Sequence, residues 1–563
     1  AVDAMRYLMG GLMLVTALWI GGTGDPRAAT AQAPEIEWRR CGAIECGTIA
    51  VPLNYSDRNG PAITLSLIRI EARRPAERIG VLMANSGGPG GSAIEFASIW
   101  HNLLDRDIRD RFDIVAFDPR GVGESTPILC HDTLQDLVAM DPDPDTDAEW
   151  EAARAISRRF AEDCARAAGD LLPHVGTRNV ARDMEVIREA LGEDQITYIG
   201  YSYGTTIGSV YASMFPGSVR AMVLDGGTDL SLDYFEVTKT QLIGFERALQ
   251  AYLDECAANR CAIARDGPPR DALERVFEMA EAEPIRAPRA ARDAGPGEVF
   301  LGVISAMYSQ FSWPQLTRAL TDALAGDGSR MVQLADDYLQ RDGRGEYPNL
   351  IEANAAVNFV DYACPKDPEA FRGIGEQYAA ELPTFGRSLS TSGLLCAHWE
   401  VEPDPLDPPT GAGAPPIIVI ATTNDPATPY EWGVALAGQL EQGVLVTYRG
   451  EGHTIYAQGS RCIDDIVNAY LLTLAIPAEG STCGNGPPPP GSGEVPGENT
   501  PPSEAGTPGS PATGGTSTPP GQPGEPGERS ELGGTTGYWI AAGVLLAVTL
   551  AMLTVAFVNL RRR

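Results

Sequence analysis

Short apolar runs alternate with helical segments along most of this 563-residue chain, and the alternation limits the folds that it can adopt. Several of the runs end in Gly, Asp or Asn. Strands that alternate with helices predict a mostly parallel α/β sheet, which binds ligands at the carboxyl ends of its strands. The seven runs typical of such strands are ITLSLIRI (63–70), IGVLMAN (79–85), FDIVAFD (112–118), ITYIG (196–200), VRAMVLD (219–225), PIIVIAT (416–422) and GVLVTYR (443–449).

A long helical segment interrupts this alternation. Between residues 230 and 396 the sequence contains stretches such as FERALQAYLDECAANRCA and WPQLTRALTDALA, and no convincing strand. Helices inserted between two strands of a sheet are typical of a lid. We therefore expect a first core segment at 34–229, a helical lid at 230–396 and a second core segment at 397–484.

The amino-terminal sequence predicts export. Arg6 precedes the apolar run 7–22, and AQA at 31–33 has small residues at the positions that signal peptidase requires. We interpret residues 1–33 as a signal peptide, with an uncleaved amino-terminal anchor as the alternative.

The carboxyl-terminal sequence predicts a membrane anchor. Residues 485–537 consist largely of Pro, Gly, Ser, Thr and Glu, a composition that favours a disordered stalk. The uncharged run 538–560 is long enough to cross ~30 Å of hydrocarbon, and the arginines at 561–563 would mark its cytoplasmic end. The folded body would face outward. A sortase-processed tail is the alternative, although ELGGTTG at 531–537 lacks a clear LPxTG motif.

The charge balance excludes one class of partner. Asp and Glu number 75 against 43 Lys and Arg, for a formal net charge of −32. A nucleic-acid-binding domain presents a basic surface, so we expect no nucleic-acid partner.

The cysteine count predicts disulfides. The chain has ten cysteines, an even number that suits an exported protein. A zinc site is the alternative, but there is no C-x₂-C pair and there are only five histidines, so no metal is expected. Sequence alone does not determine the connectivity. Pairing of neighbours along the chain is preferred, giving Cys41–Cys46, Cys130–Cys164, Cys256–Cys261, Cys364–Cys396 and Cys462–Cys483.

The motif G-Y-S-Y-G at 200–204 indicates a nucleophile. It follows the run ITYIG and precedes TTIGSVYASMF, which has the pattern of a helix. Glycines two residues either side of Ser202 allow the sharp turn that exposes a serine hydroxyl at the top of a sheet. A purely structural glycine turn is the alternative interpretation.

A serine nucleophile requires a base and an acid later in the chain. His453 lies in a glycine-rich loop after the last strand-like run, and Asp425 follows the run before it. The other four histidines lack such a position. Thr428 could hydrogen-bond the loop of Asp425. A turn or a helix cap is the alternative role of this aspartate.

Two N–H donors must stabilise the tetrahedral oxyanion. The residue after the nucleophile, Tyr203, should supply one backbone N–H, and Gly88 in the loop NSGGPGGSA (85–93) should supply the other. A nucleotide-binding loop is the alternative, but no G-x-x-x-x-G-K-[ST] motif occurs.

Five motifs resemble those of one known family, the secreted tripeptidyl-aminopeptidase branch of the α/β-hydrolase serine peptidases, which is related to prolyl aminopeptidases. The resemblance covers roughly residues 36–485. It implies an α/β-hydrolase fold with the lid inserted before the catalytic aspartate. The motifs are, in chain order, NSGGPGGS, DPRGVGES, GYSYGT, NDPATP and GEGHT.

The resemblance implies roles for individual residues. Ser202 would be the nucleophile and Asp425 and His453 its partners, with Gly88 and Tyr203 as oxyanion donors. In DPRGVGES, Asp118 and Arg120 would be structural. Prolyl aminopeptidases usually have H-G-G-P-G where this chain has Ser86, which favours the tripeptidyl branch over strict proline preference.

An aminopeptidase must also hold the ammonium group of its substrate, which requires carboxylates that face the serine. The candidates are Glu95 after the glycine loop, Asp229 after LDGG, and Asp361 in the lid.

Together these features predict an exported, membrane-tethered serine exopeptidase that acts on oligopeptides, with no cofactor. An esterase or lipase is the first alternative, because the same machinery serves esters. A catalytically inactive binding protein on the hydrolase fold is the second.

Overall fold

The computed structural model describes residues 35–130 and 133–486. In this part of the chain, ten strands form one sheet. They are Glu37–Cys41 (β1), Ile44–Pro52 (β2), Ala62–Ile70 (β3), Gly80–Asn85 (β4), Phe112–Phe117 (β5), Ile196–Tyr201 (β6), Val219–Asp225 (β7), Ile417–Asn424 (β8), Gly443–Glu451 (β9) and Thr482–Cys483 (β10).

The sheet has the order β1-β2-β3-β5-β4-β6-β7-β8-β9-β10. From β5 to β10 all neighbours are parallel, whereas β1, β2, β3 and β5 pair antiparallel. The seven predicted strands are β3 to β9. Strands β1, β2 and β10 were not predicted. Strand β1 is polar and mostly exposed, β2 has three buried residues out of nine, and β10 has two residues.

The described residues form seventeen α-helices. They are Ala93–Trp100 (α1), Arg106–Arg111 (α2), Leu134–Ala139 (α3), Asp147–Ala168 (α4), Thr177–Ala190 (α5), Tyr203–Met214 (α6), Tyr234–Ala258 (α7), Pro269–Ala282 (α8), Pro296–Met307 (α9), Trp313–Leu324 (α10), Ser329–Tyr338 (α11), Leu350–Asp361 (α12), Ile374–Tyr378 (α13), Leu389–Ser392 (α14), Leu394–Ala397 (α15), Tyr430–Gln439 (α16) and Arg461–Thr473 (α17).

Helices cover both faces of the sheet, and the alternation of side chains along β4 shows the two layers. Val81 and Met83 pack into the cluster that contains residues of α5 and α6, whereas Leu82 and Ala84 pack with residues of α1 and α17. A strand that is buried on both faces reads as a continuous apolar run, which is why β4 was recognisable in the sequence.

Helices α7 to α15 lie between β7 and β8. Helices α7 to α11 form most of a second core, whereas α12 packs against the core of the sheet. The only extended pairing in this insertion, among the described residues, is an isolated bridge between Ile285 and Ala294. The mostly parallel sheet, its two helical layers and an insertion before Asp425 make this the α/β-hydrolase fold that the resemblance implies.

All ten cysteines are in disulfides, and the bonds join neighbours along the chain as sequence order favours. Such bonds persist in oxidising compartments and indicate an exported protein. The five pairs are Cys41–Cys46, Cys130–Cys164, Cys256–Cys261, Cys364–Cys396 and Cys462–Cys483.

Apart from Asn485 and Gly486 at the start of the predicted stalk, the segments interpreted as signal peptide, stalk and membrane helix lie outside the described residues. Within residues 35–130 and 133–486, no helix is both long enough and apolar enough to span a bilayer.

Asp118 has a structural position. Its carboxylate accepts hydrogen bonds from Ser92 Oγ and from the backbone N–H groups of Ile94 and Glu124. It therefore joins the start of α1 to the loop after β5.

Arg120 is fully buried in a bidentate ion pair with Asp183 of α5, with nitrogen–oxygen distances of 2.6 and 2.7 Å. Tyr55 Oη also donates to this carboxylate, at 2.7 Å. The remaining guanidinium N–H groups donate to the carbonyl groups of Pro52, Leu53 and His174.

Arg120→Met should destabilise the fold by about 3–5 kcal/mol, because it leaves the Asp183 carboxylate buried without its counter-charge. Denaturant unfolding measures the change as a lower midpoint. Arg344→Met is the control, since this arginine side chain is 84% exposed and should change the midpoint little. Equal midpoints for the two variants would contradict a structural role for Arg120.

Candidate active site

Ser202 lies at the sharp turn between β6 and α6, with φ 54° and ψ −124°. Non-glycine residues rarely adopt this conformation, and it is typical of a nucleophile elbow. The flanking glycines permit the turn. A Cβ atom on Gly200 would lie 2.2 Å from the Gly204 carbonyl oxygen, and one on Gly204 would lie 2.7 Å from the carbonyl oxygen of Asn85 in β4. The motif thus presents the serine at the carboxyl end of the sheet.

Asp425 and His453 follow β8 and β9, two neighbouring parallel strands, so they meet at the same edge of the sheet. His453 Nδ1 lies 2.9 and 3.0 Å from the two carboxylate oxygens of Asp425. This leaves Nε2 for proton exchange with a nucleophile.

The Asp425 carboxylate is held from several sides and is 3% exposed. It accepts hydrogen bonds from the backbone N–H groups of Ala427 and Thr428 at 2.9 and 2.8 Å. Thr428 Oγ1 donates to it at 3.1 Å and also lies 3.3 Å from His453 Nδ1, so the threonine predicted to bind the Asp425 loop contacts both side chains.

The environment of His453 alters its basicity. Burial lowers the pKa of the imidazole, but the charge and hydrogen bond of Asp425, together with the charge of Asp225, raise it, and the net pKa lies above the ordinary value. A raised pKa means that the protonated imidazole is stabilised, which is the form that a general base passes through.

The glycine loop after β4 lies against the elbow. Gly87 has φ 100°, and a Cβ atom there would lie 2.8 Å from Ser202 Cβ and 3.2 Å from Tyr203 N. Gly88 is exposed, and Tyr203 is the first residue of α6, whose first N–H groups lack intrahelical acceptors. The structure thus brings together the serine and the loop predicted to form an oxyanion hole.

Comparison with known proteins decides the family. The model of the TAP-like protein family matches residues 381–483. Serine protease Hip1 of Mycobacterium tuberculosis (strain ATCC 25618 / H37Rv) is 37% identical over 504 residues, which cover 84% of this chain and 95% of that protein. The tripeptidyl aminopeptidase of Streptomyces lividans is 33% identical over 478 residues, covering 81% of this chain and 88% of that protein.

This chain belongs to the TAP-like branch of the α/β-hydrolase serine peptidases. It is therefore a serine hydrolase by family. The same set of relatives includes carboxylesterase B of Mycobacterium tuberculosis (strain ATCC 25618 / H37Rv), 36% identical over 514 residues, with 86% of this chain and 97% of that protein covered.

Sequence analysis missed Asp225, a fully buried residue at the end of β7 in this TAP-like protein. Its backbone carbonyl accepts a hydrogen bond from Ser202 N at 2.9 Å, and its Oδ2 accepts from the N–H groups of Ile455 and Tyr456 at 2.8 and 2.7 Å. One residue thus joins the elbow to the loop of His453. The sequence feature that could have indicated Asp225 is its position at the end of the strand-like run VRAMVLD.

Asp225 should also act on the candidate base through its charge. Burial raises the pKa of Asp225 to about 6, although the N–H groups of Ile455 and Tyr456 lower it. Above this pH the carboxylate is charged, and it is one of the groups that raise the pKa of His453.

Asp225→Asn should therefore shift the acid limb of the kcat/KM–pH profile to lower pH, because loss of this charge lowers the pKa of His453. The amide oxygen can still accept from the loop N–H groups. Asp464→Asn is the matched control: Asp464 also accepts from this loop, at Ala457 N, but it is not among the groups that shift His453. An unshifted profile for Asp225→Asn, or equal shifts for both variants, would refute the electrostatic role.

The lid of the TAP-like protein contacts the base through Tyr308, at the end of α9. Its carbonyl oxygen accepts a hydrogen bond from His453 N at 2.9 Å, and its ring packs edge-on against the imidazole at 5.4 Å between centroids. Nothing in the sequence near residue 308 indicates this contact, because it depends on how the insertion folds back over the sheet.

The three carboxylates predicted for amine binding lie in different environments. Glu95 is exposed on α1, and its pKa is raised by partial burial and by the charges of Asp118 and Glu124. In the described residues, no hydrogen bond or ion pair joins Glu95, Asp229 or Asp361 to the candidate triad.

Asp229 and Asp361 already have partners. Asp229 accepts hydrogen bonds from Ser231 and from Gln439 Nε2. Asp361 is 3% exposed and accepts from Thr177 N and Thr177 Oγ1, and burial raises its pKa to about 7 even though these hydrogen bonds lower it. Of the three candidates, only Glu95 projects into solvent.

Proposed function

We propose that this protein is an exported serine exopeptidase that releases short peptides, three residues long, from the amino end of oligopeptides. The observation that carries the proposal is the Ser202 elbow, which Asp225 joins to the loop of His453, the hydrogen-bond partner of the buried Asp425. The names of the relatives, a serine protease and a tripeptidyl aminopeptidase, support the peptidase activity.

The proposed reaction passes through an acyl-enzyme. His453 Nε2 takes the proton of Ser202 Oγ as the oxygen attacks the substrate carbonyl carbon, and the backbone N–H groups of Gly88 and Tyr203 bind the resulting oxyanion. The C–N bond then breaks as His453 returns the proton to the leaving amine. Water deacylates the serine with the same base, while Asp425 holds the Nδ1–H tautomer throughout.

The lid supports an exopeptidase over an endopeptidase. A Cβ atom on Gly90 of the oxyanion loop would lie 2.3 Å from the Leu350 carbonyl oxygen, and Asn354 Nδ2 donates to the Pro89 carbonyl at 3.1 Å. Helix α12 of the lid is therefore in direct contact with this loop. In the proposed function it would limit the length of chain that can lie on the acyl side of the serine.

The substrate ammonium group would bind to carboxylates on that side. Glu95, Asp229 and Asp361 remain the proposed set, and exposure favours Glu95 as the one that meets the substrate directly. Glu95→Gln should raise KM for peptides with a free amino end and leave KM for the corresponding tripeptide esters with a blocked amino end unchanged.

Matched Ala-Ala-Pro-Ala peptides with free and acetylated amino ends test the proposal, with Ser202→Ala as the control and mass spectrometry as the readout. Ser202-dependent cleavage of the free peptide alone, with release of Ala-Ala-Pro, is the expected result. Cleavage of both peptides would indicate an endopeptidase.

A carboxylesterase is the second candidate, and the similarity to carboxylesterase B supports it. The same machinery would hydrolyse esters. Cleavage of simple carboxylic esters with no cleavage of any free-amine peptide would favour this function.

We further propose that the protein acts at the outer face of the cell membrane, tethered by residues 538–560 and held away from the bilayer by the stalk. The five disulfides support export. Protease added to intact cells should release the body from the membrane, and protection of the body would contradict this location.

A further inference from the structure

An apolar cavity lies beside His453, the candidate base. A cavity of about 280 Å³ has His453 in its wall and continues away from it between α1 and the loop before α17. Most of the wall is aromatic or aliphatic. The aromatic and aliphatic residues of the wall are Phe96, Trp100, Leu103, Tyr201, Tyr456 and Ala457, and Ser86, Thr454 and Gln458 form its polar part beside His453.

The aromatic wall is held in place by contacts among its own members. Phe96 stacks on Trp100 at 5.6 Å between ring centroids and meets the edge of Tyr201 at 5.5 Å. Trp100 Nε1 donates to Tyr201 Oη at 3.0 Å, and Tyr201 Oη donates to the Tyr456 carbonyl at 3.2 Å. The polar atoms of Trp100 and Tyr201 are therefore satisfied within the wall. Both rings are almost fully buried, so the apolar surface open to a ligand comes mainly from Phe96 and Leu103.

The residues on either side of the candidate nucleophile have partners in different parts of the molecule. Tyr201, immediately before the serine, bonds to Trp100 in the cavity wall. Tyr203, immediately after it, bonds through its Oη to Thr177 Oγ1 at 2.7 Å, and Thr177 in turn donates to Asp361 of lid helix α12. With the acyl part of the substrate beside α12, as proposed above, the cavity is available to the other part.

The position of His453 indicates which part of the substrate enters the cavity. Asp425 binds Nδ1, so Nε2 is the atom that protonates the leaving nitrogen in an acyl-transfer reaction. The residue that begins with this nitrogen, conventionally P1′, must therefore start at His453, where the cavity also starts.

We propose that this cavity is a subsite for the P1′ residue of the substrate and that it selects large apolar or aromatic side chains there. The proposal rests on the peptidase function proposed above and adds a preference on the leaving side of the scissile bond. The volume suits one side chain, since it lies below the ~300–1,000 Å³ of pockets that enclose whole drug-sized ligands.

Two leucine-sized side chains provide a matched pair for a test. Leu103 follows α1 in a turn, lines the cavity and is 53% exposed, so its substitution should not disturb the core. Ile99 in the last turn of α1 is 54% exposed but is not part of the cavity wall. An aspartate at position 103 would place a charge in the proposed subsite, whereas an aspartate at position 99 would not.

The experiment uses the full chain and two free-amine peptides, Ala-Ala-Ala-Phe-Ala and Ala-Ala-Ala-Gly-Ala. The native protein should cleave the Phe peptide with a kcat/KM about tenfold or more above that of the Gly peptide, as expected for burial of an aromatic side chain. Leu103→Asp should reduce kcat/KM for the Phe peptide about tenfold and for the Gly peptide less than twofold. Ile99→Asp should change neither by more than twofold.

Fluorophosphonate labelling of Ser202 checks each variant, because this probe has no P1′ residue, and its rate should be the same in all three proteins. If the peptides are cleaved but Leu103→Asp affects both equally, or neither, the subsite is refuted and the peptidase function stands. If labelling is normal and no peptide is cleaved by the native protein, both proposals are refuted.

Discussion

Ser202→Ala is expected to lower kcat/KM on peptide substrates by roughly 10⁴- to 10⁶-fold, with no change in fold or in thermal midpoint. The loss is large because the hydroxyl supplies the atom that forms the acyl-enzyme, and without it the oxyanion donors and the base can accelerate only a direct attack by water. Initial rates on Ala-Ala-Pro-Ala measure the change.

Ser98→Ala is the matched control for this variant. Ser98 is exposed on α1, and its hydroxyl donates to the carbonyl of Ile94 within the same helix. It should retain full activity. Residual activity of Ser202→Ala within tenfold of the native protein would exclude Ser202 as the nucleophile.

Asp425→Asn is also expected to have a large effect, a loss of about 10⁴-fold in kcat at neutral pH. The carboxylate accepts from His453 Nδ1, and an amide at this position favours the wrong imidazole tautomer. It also removes the first charge that raises the pKa of His453, so the remaining activity should have an acid limb at lower pH than the native protein.

Asp407→Asn is the control, because this side chain is 93% exposed and its ion-pair partner is Arg178 rather than His453. A loss of less than tenfold for Asp425→Asn would contradict its role as the acid. Asp225, the other buried carboxylate that raises the pKa of His453, would then become the leading candidate.

The sequence predicted the strands that are buried and the motifs that consist of consecutive residues. Strands β3 to β9 were recognisable because continuous burial or period-two alternation leaves a pattern in composition. The elbow could be predicted because it is a property of five consecutive residues, and Asp425 and His453 because each directly follows a strand.

The missing parts depend on contacts between distant segments. Tyr308 reaches His453 only because the insertion folds back over the sheet, and Gly87 faces Ser202 only because β4 and β6 are neighbours. The carboxylates proposed for amine binding were the least predictable, since the chain has 75 acidic residues and only the tertiary structure shows which have internal partners.

The central claim is that Ser202 carries the acyl group during turnover. A tripeptide nitrophenyl ester mixed with the full chain, quenched in acid within one turnover and digested for peptide mapping, tests it directly, because acid protonates His453 and halts deacylation. We expect one tripeptide acyl group on the peptide that contains Ser202, and none in Ser202→Ala. Rapid turnover with no acylated peptide, or with the acyl group on another residue, would contradict it.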